Sequence, residues 1–144
     1  MIRTTILAAA LAVALPAIAA EPMHHVLRTH DGDTLTTRED GTIRMLGLDA
    51  PEIGSRARCK AEDAMAHTAR DYVASRVKAG VFLRTSLDPK GHKQANRDKY
   101  GRLLRKIISA DDGDIGAELI ERGLAVPYWG RGVRQDWCAV GAAK

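Results

Sequence analysis

Apolar and polar positions alternate with different periods along this chain. Val26 to His30 and Thr34 to Arg38 are short runs rich in Val, Leu and Thr, and they predict two strands. Asp40-Gly41 follows, the strongest hairpin signal in the sequence, read here as a type I′ turn with both positions at positive φ. Thr42 to Leu48 then becomes a third strand, antiparallel to the second. It ends at Ala50-Pro51, because proline has no N–H to donate and biases its predecessor towards an extended shape. Period-two alternation puts Arg44, Leu46 and Leu48 on one face of that strand and Ile43, Met45 and Gly47 on the other.

The period then lengthens. Ala61, Ala64, Met65, Thr68, Ala69, Tyr72, Val73 and Val77 recur at helical spacing, with Glu62, Asp63, Arg70, Asp71 and Arg76 mainly on the other faces and Gly80 as the stop. Val81 to Leu87 reads as a fourth strand and Leu103 to Ser109 as a fifth, separated by a polar, basic loop from Asp88 to Gly101. Asp111-Asp112-Gly113 turns the chain into a second helix from about Asp114 to Arg122, ended by Gly123. This order predicts an α+β chain, mainly β, with two or three helices. Five short strands so separated suit a small closed Greek-key barrel of the OB kind. Periodicity alone also allows a flat sheet with helices on one side.

Composition changes the picture at the N-terminus first. Arg3, the apolar run Ile6 to Leu15 and the small residues Ala17-Ile18-Ala19-Ala20 have the layout of a secretory signal. The run is shorter than the ~20 apolar residues a spanning helix needs. The expectation is a signal over residues 1–20, cleaved after Ala19 or Ala20, and one domain over 21–144, exported to the periplasm or secreted, with no membrane segment after cleavage. Loss of Arg3 takes the formal net charge from +4 to +3, too modest an excess to establish a nucleic-acid partner by itself. Nothing calls for a homo-oligomer, and a monomer is expected. Cys59 and Cys138 would meet an oxidising compartment, which favours a disulfide over two free thiols. Such a long loop contributes roughly 4 kcal/mol at most in the chain-entropy view.

The candidate chemistry sits at the strand ends. Asp31-Gly32-Asp33-Thr34 joins the first two strands, and Asp49 and Glu52 lie at the end of the third. A hairpin returns those ends to one region, so three carboxylates converge, which is costly unless a cation sits among them. Oxygen ligands of this kind suit Ca²⁺ or Mg²⁺. Arg44, in an otherwise apolar strand, needs a partner and could grip a phosphate bidentately. Asp98-Lys99-Tyr100-Gly101-Arg102 forms a third element, within a loop carrying Lys90, Lys93, Arg97 and Lys99 and suited to phosphate-backbone contact. The histidines His24, His25, His67 and His92 are too scattered to suggest a ligand set.

The strings His30 to Thr34, Arg44 to Glu52 and Asp98 to Arg102, with Leu119 to Ala125, together resemble the staphylococcal nuclease (thermonuclease) family over about residues 26 to 128. The resemblance implies an OB-fold barrel and Ca²⁺-dependent hydrolysis of DNA and RNA. It assigns Asp33 and Asp49 as calcium ligands through carboxylates, and Ala50 through its carbonyl oxygen, where the family often has threonine. Glu52 becomes the general base or the group that orients the attacking water, and Arg44 and Arg102 hold the phosphate. Lys99, Tyr100 and Tyr128 become substrate contacts. Only a short tail follows Gly123, so the family's final helix is expected to be missing or much reduced. Tyr128 and Trp129 with Arg131 and Arg134 could stack on single-stranded bases or simply pack that tail. Two rival classes remain: an OB-fold nucleic-acid-binding module without turnover, and a calcium-stabilised structural domain.

Overall fold

Residues 21–92 and 96–142 are described by the structure, a computed structural model. The segment expected to be a signal, residues 1–20, and Lys93 of the basic loop lie outside the described residues. Strands β1 (Val26–Thr29), β2 (Thr34–Thr37) and β3 (Gly41–Met45) form the expected antiparallel meander. Two residues, Leu48–Asp49, make β4, followed by a single 3-10 turn and the long helix α1 (Lys60–Arg76). After β5 (Val81–Arg84) and β6 (Leu103–Ser109) come α2 (Ile115–Glu121), the short β7 (Val126–Pro127) and α3 (Trp137–Ala142).

The main sheet runs β1-β2-β3-β6-β5, with β3 and β6 parallel and the other neighbours antiparallel, while β4 pairs with β7 in a small second sheet. The α+β, OB-like class holds, but the barrel expected to be closed is not closed by a continuous ladder. Its edges meet through one antiparallel bridge, in which His24 and Val81 exchange both backbone hydrogen bonds at 2.8 and 2.9 Å. Four-residue edge strands leave little length for more.

Leu35, Ile43, Met45, Val73, Val81, Ile107, Ile115 and Leu119 fill one core between sheet and helices. Burial of β3 alternates as expected, Ile43 and Met45 inward and Arg44 on the other face. The strand stops sooner than its pattern predicts, because Gly47 at φ +79° turns the chain before Leu48. The β2–β3 hairpin also differs: only Gly41 has positive φ, Thr37 pairs with Gly41, and Arg38-Glu39-Asp40 form a three-residue loop rather than a type I′ turn.

On α1 the buried stripe is Glu62, Ala66, Ala69 and Val73, rotated from the predicted face, so that Ala64 and Thr68 are exposed. Glu62 tolerates burial because its carboxylate accepts the backbone N–H of Arg58 at 2.7 Å and of Glu52 at 3.3 Å. The flank with Ala61 and Met65 meets α3, where a Cβ at Gly141 would come within 2.5 Å of the Ala61 Cβ. The Cys59–Cys138 disulfide forms, with Cα atoms 6.0 Å apart, and ties the cap of α1 to α3. No helix among the described residues is long and apolar enough to cross a membrane.

Candidate active site

Asp33 ends the turn that joins β1 to β2. That turn lies so close to α1 and to the β4 end that a Cβ on Gly32 would come within 2.8 Å of the Ala69 Cβ and 2.9 Å of the Ala50 Cβ. Gly32 therefore serves close packing, and the packing buries Asp31 and Asp33. One Asp33 oxygen accepts from the Thr34 hydroxyl at 2.9 Å and from Arg44; the other accepts the Ala50 N–H at 3.1 Å. Arg44, reaching from β3, also approaches Asp49 at 3.6 Å. Burial pushes the Asp33 carboxyl up to about 7, with Arg44 pulling it down and Asp31 adding to the rise.

Asp49 is 1 % exposed. Its Oδ1 is gripped by Arg134, with Nε at 2.9 Å, while its Oδ2 is buried with no hydrogen-bond partner. Glu52 lies at the rim, one oxygen 3.1 Å from Arg134 and the other 3.0 Å from Arg56. Arg56 reaches on to Asp31 at 2.8 Å. Asp33 and Asp49 meet at Arg44, and Arg134 bridges Asp49 to Glu52. Among the described residues no three Asp, Glu, His or Cys side chains converge as a metal cluster.

The donor set still fits a hard cation. Asp31, Asp33, Asp49 and Glu52 face Arg44, Arg56 and Arg134, so with all four carboxylates ionised the cluster is one positive charge short of neutral. A buried, unpartnered carboxylate oxygen is the kind of group that hard divalent ions take. Asp33 and Asp49 with the buried Ala50 are the residues that would hold one.

Arg102 arrives from the loop before β6. Asp98 accepts the Arg102 Nε at 2.7 Å and its N–H at 3.0 Å, closing the turn around Gly101. Burial would raise the Asp98 carboxyl, but the Arg102 hydrogen bonds outweigh it and hold it below the ordinary range. Arg44, Glu52, Arg56, Tyr100, Arg102 and Arg134 line one depression of about 360 Å³. A larger adjoining cleft of about 450 Å³ brings in Lys99, Tyr128 and Trp129. Tyr100 is 71 % exposed, with the Lys99 ammonium 5.0 Å and the Arg102 guanidinium 5.4 Å from its ring centre. Tyr128 is placed by its N–H on the Gly47 carbonyl at 2.9 Å.

Sequence reasoning does not find Arg56, and it places Arg134 only in the tail beside the stacking aromatics, not among the acids. Arg56 stands four residues after Glu52, a spacing that signals an ion pair. Arg134 is separated from Glu52 by 82 positions, and only the Trp137-Cys138 anchor just beyond it hinted that its segment folds back.

Comparison with known proteins points to one family. The pattern of the family described as staphylococcal nuclease homologue matches residues 42–136. Endonuclease YhcR of Bacillus subtilis (strain 168) is 31 % identical over 133 residues, an alignment covering 81 % of this chain and 10 % of that protein. The chain therefore spans about a tenth of the curated relative's length. With its sheet order, its acid–guanidinium cluster and the matched span taken together, the chain belongs to the family of staphylococcal nuclease homologues.

Proposed function

We propose that this chain is a nuclease that hydrolyses phosphodiester bonds of DNA and RNA with Ca²⁺ as its cofactor. One observation carries the proposal: Arg44, Glu52 and Arg102, from separate parts of the sequence, line a single depression, and two of its guanidinium groups, Arg44 and Arg134, contact the buried Asp49. A phosphodiester is an anion, so its hydrolysis needs a positioned water and compensating positive charge. Arg44 and Arg102 supply that charge at the phosphate oxygens. Glu52 orients the water and takes its proton as the new P–O bond forms and the bond to the leaving oxygen breaks. A calcium ion at Asp33, Asp49 and the Ala50 carbonyl would supply Lewis acidity at the phosphate. Lys99, Tyr100 and Tyr128 hold the flanking nucleotides, with Trp129 as a further stacking face in the same cleft. Export to the periplasm or medium fits the Cys59–Cys138 bond, since disulfides persist in oxidising compartments.

A binding module without turnover is the rival, and one observation favours it: both Glu52 oxygens are already held, by Arg56 and Arg134. Mature protein incubated with denatured DNA, in Ca²⁺ or chelator, separates the two. Cleavage that requires Ca²⁺ and falls at least ~100-fold in kcat/KM for Glu52→Gln and Arg102→Ala is the expected result. Binding without cleavage in Ca²⁺, Mg²⁺ and Mn²⁺ would leave the binding module.

A further inference from the structure

Arg134 supplies, from the Oδ1 side of Asp49, the positive charge that a divalent cation at the Asp49–Glu52 pair would bring. Both its Nε and its Nη2 bind the same Asp49 oxygen, at 2.9 and 2.5 Å, and Nη2 also reaches Glu52 at 3.1 Å. The hydrogen bonds it donates to Asp49 hold the guanidinium in its charged form. The segment that carries it is fastened down. Arg58 donates to the Gln135 carbonyl at 2.9 Å, Asp136 accepts the N–H groups of Cys138 and Ala139 at 3.1 and 3.3 Å, and Trp137 is buried. The disulfide at Cys138 locks this anchor to the start of α1.

We propose that Arg134 is a built-in counter-cation of the Asp49–Glu52 pair, which the divalent ion must displace before the site is competent. This rests on the metal-dependent nuclease reading. Charge favours exchange over addition. With Asp33 ionised, the form a bound cation favours, the cluster is one positive charge short, so a dication entering while Arg134 leaves brings it to neutrality, whereas a dication added beside Arg134 overshoots by one. The grip is also releasable. Arg134 binds one Asp49 oxygen rather than forking across both, and nearly half of its side chain is exposed. Arg134 lines the depression with Arg44 and Arg102 as well, so a displaced guanidinium stays where an anionic phosphate would lie. Displacement of Arg134 also frees one of the two Glu52 oxygens.

The test is calorimetric titration of the full-length mature protein with CaCl₂ at low ionic strength and without nucleic acid. Wild type is compared with Arg134→Ala, with Arg134→Gln, which keeps length and hydrogen bonding without charge, and with Arg131→Ala, which removes one charge from the same tail. If the acid pair is open about one-tenth of the time, both Arg134 variants bind Ca²⁺ about tenfold more tightly. Arg131→Ala changes affinity less than about twofold, because Arg131 is exposed and is not the guanidinium paired with Asp49 and Glu52, so its charge is screened. Equal or weaker binding by the Arg134 variants overturns the displacement and leaves the metal site standing. Equal tightening by Arg131→Ala reduces the effect to overall charge and overturns it as well. No Ca²⁺ binding by any of the proteins removes the metal reading and this inference with it.

Discussion

Arg44 serves two buried carboxylates at once, and that sets what its loss would cost. Asp33 and Asp49 are each about 1 % exposed and both contact its guanidinium. Removing one member of a buried pair leaves an uncompensated charge, a loss of about 3–5 kcal/mol. Arg44→Ala is therefore expected to lower the urea midpoint substantially without changing the slope. On the proposed Ca²⁺ reading, saturating Ca²⁺ restores part of the loss, because an ion bound only to the folded state would replace the missing charge. An unchanged midpoint would mean that Asp33 is neutral in the folded protein. Arg44 was legible in the sequence as a charge that needed a partner, and Asp33, Asp49 and Glu52 were legible by spacing. What the sequence concealed was the number of guanidinium groups. Arg56 and Arg134 look like ordinary surface charges until folding delivers them to Glu52 from opposite sides.

Among the elements, the turn between β3 and β4 matters most, because it sets where Asp49 falls. Gly47 sits at φ +79°, and a Cβ there would come within 2.8 Å of the Trp129 ring. Gly47→Ala thus meets both a left-handed backbone and an indole, and it is expected to cost about 1–2 kcal/mol. Displacement of Trp129 should appear as a shift in tryptophan emission, and unaltered emission with unaltered stability would contradict the contact. Hydrophobic alternation could not reveal this turn, since Gly47 occupies an unobjectionable strand position. The face of α1 was misjudged for a related reason. Glu62 reads as solvent-facing by its charge, yet the N–H groups around the helix start make burial tolerable. By contrast β6 and α2 were plain, the first from its dense aliphatic run and the second from Asp114, whose carboxylate caps the helix at the Ala117 N–H.

For the whole molecule, acid stability depends on ion pairs that join distant elements. Arg76 of α1 binds Glu118 of α2 and Asp111 of the turn after β6. Its hydrogen bonds hold the Glu118 carboxyl below its ordinary 4.5 and the Asp111 carboxyl below its ordinary 3.8. Groups depressed on folding stabilise above their unfolded values and lose that contribution as pH falls through the folded ones. Wild type should therefore lose Tm steeply below about pH 4.5, and Arg76→Ala, already weaker at pH 7, should fall less over that window. Parallel curves for the two proteins would place the acid sensitivity elsewhere.

Among the described residues, the wall of the barrel is held along one line by a single backbone exchange between His24 and Val81, with the exposed Arg84–Glu21 ion pair beside it. In strand order that line lies at the two ends of the sheet, whereas Arg44 lies on the middle strand and Arg102 just before its neighbour. Opening along this line is therefore expected to leave the proposed site undisturbed. In deuterated water the amides of His24 and Val81 should exchange early, and those of Arg44 and Met45 late. Such a protein can flex along its edge while its reacting groups stay in register.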